Sequence, residues 1–194
     1  MKKLILIGGG GHAISCLDVI DSTGEFDVKG ILDSSPKFLA SRLGYKYLGN
    51  DTELKNTLND GDYVLVAVGQ IKSHKMRKEL YERSKRDGAS FDQIVSPKAY
   101  CCHNSSIGEG TIIMHGAIVN SMASVGRNCI VNSMALIEHN CVIGDHCHVS
   151  TGVRINGDVS IGEGTFIGSG AIIREGLIIP PHSVIPAGTI LLRN

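Results

Sequence analysis

The segment from Asn132 to Ser150 reads NSMALIEHNCVIGDHCHVS and holds three of the chain's eight histidines, His139, His146 and His148. An imidazole has an unperturbed pKa of about 6.5, so a neutral proton acceptor is available near pH 7. A positioned base of this kind supplies roughly a hundred- to ten-thousand-fold. Glu138 and Asn140 flank His139. A carboxylate beside a histidine raises its basicity, whereas an amide does not.

A second group of chemically suggestive residues lies near the amino terminus. Lys3 to Ile7 reads as a strand, Gly8 to Gly11 as a loop, and Ala13 to about Asp21 as a helix with His12 before it. Glycines at the end of a first strand let the backbone approach a diphosphate at a helix amino terminus, and an acidic residue ending the second strand can bind a ribose or base. Val28 to Leu32 is that second strand and Asp33 ends it. The expected substrate-binding residues are Gly10, Gly11, His12, Asp33, Ser34 and Gly69. A glycine string alone also fits a purely structural turn.

A third strand, Tyr63 to Val68, ends in Gly69 before a helix carrying Lys75, Arg77 and Lys78. Strands alternating with helices imply a parallel sheet, so residues 1–92 are expected to form a Rossmann-like α/β nucleotide-sugar-binding domain. It is half the size of a full dinucleotide fold, and the remaining residues could not form a dehydrogenase's substrate domain.

From Val95 onward every sixth residue is apolar: Val95, Cys101, Ile107, Ile113, Val119, Val125, Val131, Ile137, Ile143, Val149, Ile155, Ile161, Ile167, Ile173, Ile179 and Ile185. All but Cys101 are isoleucine or valine, which an ordinary β-sandwich with strands of varying length would not sustain. The fifth place of each hexad is mostly small, as at Ala117, Ala135 and Ala171, with glycine, asparagine or aspartate between. This is the signature of a hexapeptide β-helix, three hexads to a coil of 18 residues, spanning residues 93–194. Its β-branched side chains fill the prism, and the small ones sit where the chain turns a corner. Periodicity leaves the handedness open.

The bulk properties narrow the partners. Nineteen basic residues balance nineteen acidic ones, so no long-range field collects nucleic acid or an anionic membrane. Leu4 to Ile7 is too short for a signal-peptide core, and no stretch approaches a bilayer-spanning length, which predicts a cytoplasmic protein. Six cysteines without a CxxC pattern read as reduced, mostly buried thiols, with no metal.

The whole chain resembles the hexapeptide sugar O-/N-acyltransferases, the group of the UDP-4-amino-sugar N-acetyltransferases and sialic acid O-acetyltransferases. The resemblance is carried by the GGGGH loop, Asp33, Gly69, the Ile137-Glu138-His139 run and His148-Val149-Ser150. It implies a left-handed β-helix, a homotrimer, and acetyl-CoA bound between adjacent β-helices. By the same resemblance His139 is the catalytic base, with Glu138 and Asn140 beside it. His148 lies by the acetyl group, and Asn132, Ser150, Gly157, Ser169 and Ala187 lie near the cofactor. Two departures are visible. Asn140 stands where the N-acetyltransferases often have an acidic residue. The sequence also stops at Asn194, soon after Gly188, without the tail that many relatives fold over the cofactor.

The expected reaction is acetyl transfer to the 4-amino group of a UDP-linked amino-dideoxy sugar, with O-acetylation of a sialic-acid-like sugar as the alternative. Asn156 to Ser160 resembles the sialic-type members. Two remoter readings are a non-catalytic scaffold and a γ-type carbonic anhydrase. His103 and His139 stand two coils apart as that class requires, but Gly144 replaces its further histidine.

Overall fold

The computed structural model describes residues 1–35 and 42–193; residues 36–41 and the terminal Asn194 lie outside the described set. The chain divides into two compact units, residues 1–69 with 76–92 and residues 70–75 with 93–194.

The first unit contains β1 (Lys2–Ile7), α1 (Gly11–Thr23), β2 (Phe26–Leu32), β3 (Tyr47–Gly49), α2 (Leu54–Thr57) and β4 (Tyr63–Val66), followed by the body of α3 (Lys75–Arg86). The four strands are all parallel, in the order β3-β2-β1-β4. Such a sheet is covered on both faces, and its strands read as continuous apolar runs rather than alternating ones; Leu4, Ile5, Leu6 and Ile7 are all buried. The short edge strand β3 carries no strong sequence signal. The chain moves outward from β1 to β3 and then returns to the other side of β1. Ligand crevices of open parallel sheets lie at such a reversal, outside the carboxyl ends of the strands.

Arg77, from α3, is fully buried and donates from one guanidinium nitrogen to the carbonyls of Val66 and Val68, each at 2.6 Å. It holds the exit of β4, and so shapes the loop leading to Gly69.

The second unit is a stack of two-residue strands from β5 (Ile94–Val95) to β21 (Ile190–Leu191). One coil is formed by β11 (Ile130–Val131), β12 (Leu136–Ile137) and β13 (Val142–Ile143). The next begins at β14 (His148–Val149), which pairs in parallel with β11, Val149 opposite Val131. Each strand thus meets the strand 18 residues on, and three sheets of five, six and six strands result. This is the parallel β-helix expected from the hexads, with the left hand that the resemblance implies. Val131, Ile137, Ile143 and Val149 point inward and are buried, each worth about 1.5–3 kcal/mol. The fifth place holds Cys129, Cys141 and Cys147, all buried and free. Their thiols donate to main-chain carbonyls of the next coil, at Gly144, Asn156 and Gly162. Burial pushes the Cys141 thiol up, and the contact with Cys129 together with burial pushes up that of Cys147. Val153, Val159 and Leu177 show that a larger side chain also fits this place.

The corners have one rule the sequence shows only in part. The fourth place of every hexad from Gly110 to Gly188 is left-handed, with φ between 52° and 73°. Seven of these fourteen residues are glycine; the others are Met122, Asn128, Met134, Asn140, His146, Asp158 and His182. A non-glycine residue there costs about 1–2 kcal/mol, least for asparagine and aspartate. The corners from Asn128 onward are held by the coil ladder, as where the N–H of Asn140 donates to the carbonyl of Ser121 at 3.1 Å.

Candidate active site

In the first unit, α1 starts from Gly10 with no side-chain cap, which leaves its first N–H groups available to an anion. The glycines of the loop have different jobs. Gly8 has φ 97°, and a Cβ there would lie 2.6 Å from Cγ2 of Val68, so the fold itself demands glycine. At Gly10 and Gly11 a Cβ would meet nothing within 4 Å. Asp33 accepts from the N–H of Gly9 at 2.7 Å and from that of Ser35 at 2.8 Å. Its carboxylate therefore shapes the loop, and each oxygen retains a further lone-pair direction. His12 turns back along its own helix, with Nε2 3.4 Å from Sγ of Cys16 and its Cβ close to Gly69. Burial pushes the Cys16 thiol up to about 12.

A cavity of about 280 Å³ opens beside the loop, lined by Gly8, Leu32, Asp33, Ser34, Val68, Asp51 and the α3 residues Met76, Glu79, Leu80 and Arg83. Arg83 pairs with Asp51 at 2.6 Å. Sequence reading missed this wall. The spacing of residues 76, 79, 80 and 83 on one helical face was the available signal.

In the second unit the histidine-rich segment is spread over the three corners of a coil. Asn132 follows the sheet of β11 and β14, His139 follows that of β12, and His146 precedes β14. His139 is exposed, and its ring lies over Gly157 one coil on; a Cβ at 157 would sit 2.5 Å from Cε1 and 2.7 Å from Nε2. Gly157 thus makes room for the imidazole. Glu138 accepts from Nδ2 of Asn120 at 2.9 Å, and Nδ2 of Asn140 donates to Asp158 at 3.0 Å. Both flanking side chains are spent on neighbouring coils. Asn140 and Asp158 occupy left-handed corners, which gives asparagine at 140 a structural reason.

His148, Asn132 and Ser150 gather at another edge. Nδ2 of Asn132 lies 3.3 Å from Nε2 of His148, and the hydroxyls of Ser150 and Ser169 are 2.9 Å apart. Ala187 stacks one coil beyond Ser169 at the same edge, its N–H over Gly168. The candidate cofactor residues other than Gly157 therefore share one edge, and the candidate base stands on the next.

These features define a hexapeptide-repeat protein with a glycine-loop parallel-sheet unit at its amino terminus. Residues 3–84 match the PglD N-terminal domain family. UDP-N-acetylbacillosamine N-acetyltransferase of Bacillus subtilis (strain 168) is 33% identical over 118 residues, 59% of this chain and 52% of that protein, so the match spans about half the relative's length. The acetyltransferase domain of PglB from Neisseria gonorrhoeae FA1090 superposes with a TM-score of 0.92 at 25% identity, covering 100% of this chain and 93% of that one. PerB from Caulobacter crescentus, solved with CoA and GDP-perosamine, has a TM-score of 0.90 at 29% identity over 99% and 89% of the two chains. The amino-terminal part of the chain thus matches the PglD N-terminal domain family, and the whole chain is similar in structure to sugar acetyltransferases.

Proposed function

We propose that this protein transfers an acetyl group from acetyl-CoA to the 4-amino group of a nucleotide-linked amino-dideoxy sugar, UDP being the expected nucleotide. The carrying observation is the exposed imidazole of His139 seated over Gly157 at a β-helix edge. The relatives support the substrate class: the PglB domain has been solved with acetyl coenzyme A and PerB with CoA and GDP-perosamine. The sugar amine attacks the thioester carbonyl, His139 takes the proton released as the C–N bond forms, and coenzyme A leaves as the thiolate or thiol. No acyl-enzyme is needed. A backbone N–H near His148 holds the developing oxyanion.

The nucleotide belongs at the amino-terminal loop, with the phosphates at Gly10, Gly11 and the start of α1. Asp33, Ser34 and the adjoining cavity take the nucleoside, and His12 and Gly69 border the sugar. Because Gly10 faces open space, Gly10→Val is expected to raise the sugar KM at unchanged thermal stability, whereas Gly8→Val lowers stability. Equal loss of sugar and acetyl-CoA affinity in Gly10→Val would refute the assignment.

A homotrimer completes the site. The sheet of β12 presents a ladder of Tyr100, Ile118, Leu136, Arg154, Ile172 and Ile190 on its outer face. Tyr100 is 57% and Ile190 62% exposed, an apolar stripe that calls for a partner surface. The His139 edge and the edge of Asn132 and Ser150 bound this sheet on its two sides. Three copies around a threefold axis bring one edge of each protomer against the other edge of its neighbour, and acetyl-CoA lies in that groove. Sedimentation should give three times the chain mass of 20.7 kDa; a single-subunit mass at micromolar concentration contradicts it. Among the described residues no helix is long and apolar enough to cross a membrane, and the proposed substrates are those of a cytoplasmic enzyme.

The reaction is tested by thiol release from acetyl-CoA with a panel of acceptors. A UDP- or GDP-linked 4-amino-4,6-dideoxyhexose is expected to react far faster than its 4-hydroxy analogue or free sialic acid. An amine is nucleophilic once neutral, while a hydroxyl needs a stronger base at the start of attack. Preference for free sialic acid, with an O-acetyl product by mass, would overturn the assignment.

A further inference from the structure

The segment Gln70–Lys75 belongs to the β-helix unit, and it is fastened there at two points. Gln70 is 1% exposed; its Nε2 donates to the carbonyl of His146 at 3.1 Å, and its own carbonyl lies 2.5 Å from Nδ1 of His148. Four residues on, His74 stacks on His182 with ring centroids 4.5 Å apart and planes at 11°. The ring fits because residue 164 is glycine: a Cβ there would come within 2.7 Å of it.

The first fastening decides the state of His148. A carbonyl oxygen only accepts, so the proton of the neutral ring sits on Nδ1, and Nε2 is left as an acceptor facing the Asn132 amide at 3.3 Å. That amide is oriented in turn, its Oδ1 accepting from the N–H of Ser133 at 2.8 Å. A chain of donors and acceptors therefore runs from Gln70 through His148 and Asn132 to Ser133.

We propose that Gln70 is a positioning residue for His148, selecting the Nδ1–H tautomer and holding the ring at the edge where Asn132 and Ser150 lie. The accepting carbonyl is main chain, but the buried amide of the Gln70 side chain fixes where it stands. Oε1 of Gln70 is buried without a partner, so side-chain packing and the single Nε2 bond carry the anchoring. Outer partners of this kind set the tautomer of a functional histidine, as they do for metal-binding ones. The kinetic consequence rests on the assignment of His148 to the acetyl-CoA groove; the tautomer does not.

The test uses the full-length protein, Gln70→Met and Gln70→Glu. Methionine keeps the volume and removes the donor, and glutamate sets a carboxylate oxygen against the His146 carbonyl. Long-range ¹H–¹⁵N spectra are expected to show His148 protonated on Nδ1 in the parent and shifted toward Nε2–H in both variants. The KM for acetyl-CoA is expected to rise about tenfold, the worth of one ordering hydrogen bond, with kcat changed less. An unchanged tautomer in both variants overturns the proposal. A changed tautomer with an unchanged acetyl-CoA KM upholds the positioning role and removes His148 from the cofactor groove instead.

Discussion

His139→Ala is expected to fold and assemble as the parent does and to lose about two to four orders of magnitude in turnover, the range that general-base catalysis supplies. The side chain is exposed at a β-helix edge, so its removal leaves no cavity in the prism. What the residue gives the fold is main-chain: its carbonyl accepts from the N–H of Asp158 at 3.0 Å, and alanine keeps that bond. The left-handed corner belongs to Asn140, the next residue, so position 139 carries no backbone strain that alanine would alter. The measurement is kcat from thiol release with both substrates saturating, beside a sedimentation mass for each protein. Turnover near that of the parent would remove His139 from the mechanism.

Gly157→Ala is the second large effect, and it comes from a residue without a functional group. A Cβ at 157 would stand 2.5 Å from Cε1 of His139 and 2.7 Å from Nε2, closer than carbon atoms approach. The imidazole is the side that gives way, since it is a terminal, exposed ring, whereas the backbone at 157 is tied into the ladder where its carbonyl accepts from Gly176. A displacement of about 1 Å at a reacting group costs on the order of a hundredfold. The expected outcome is a fall in kcat of about ten- to a hundredfold, a sugar KM changed far less, and a melting temperature close to the parent's. Unchanged kcat would show that the base acts from a different rotamer.

Both results separate what the residue pattern encodes from what the folded chain adds. The hexads from Val95 to Ile185 were legible because a prism with one interior place per side demands a β-branched residue at each sixth position. The glycine loop was legible as a strand-to-helix connection because Gly8 to Gly11 follow an apolar β-branched run and precede a helical stretch. The α3 wall of the cavity was not, since Met76, Glu79, Leu80 and Arg83 look like any amphipathic face until the sheet is placed against them.

The same division runs through the histidines. Their identity and their neighbours in the sequence marked one segment as chemical, and the family resemblance attached roles to its residues. Spacing along the chain says which positions stack, since the coil repeats every 18 residues, but not which way a side chain turns there or which atoms meet. That geometry sets Gly157 under His139, turns Glu138 to Asn120 and Asn140 to Asp158, and leaves His139 and His148 on different edges. Gln70 is the clearest case. Nothing in its local sequence distinguishes it, and its bonds to His146 and His148 span more than seventy residues. Periodicity specifies the coil because each hexad repeats one local environment. The pairing of side chains across coils, and the docking of a segment from outside the repeat, depend on contacts that form only when the whole unit is folded.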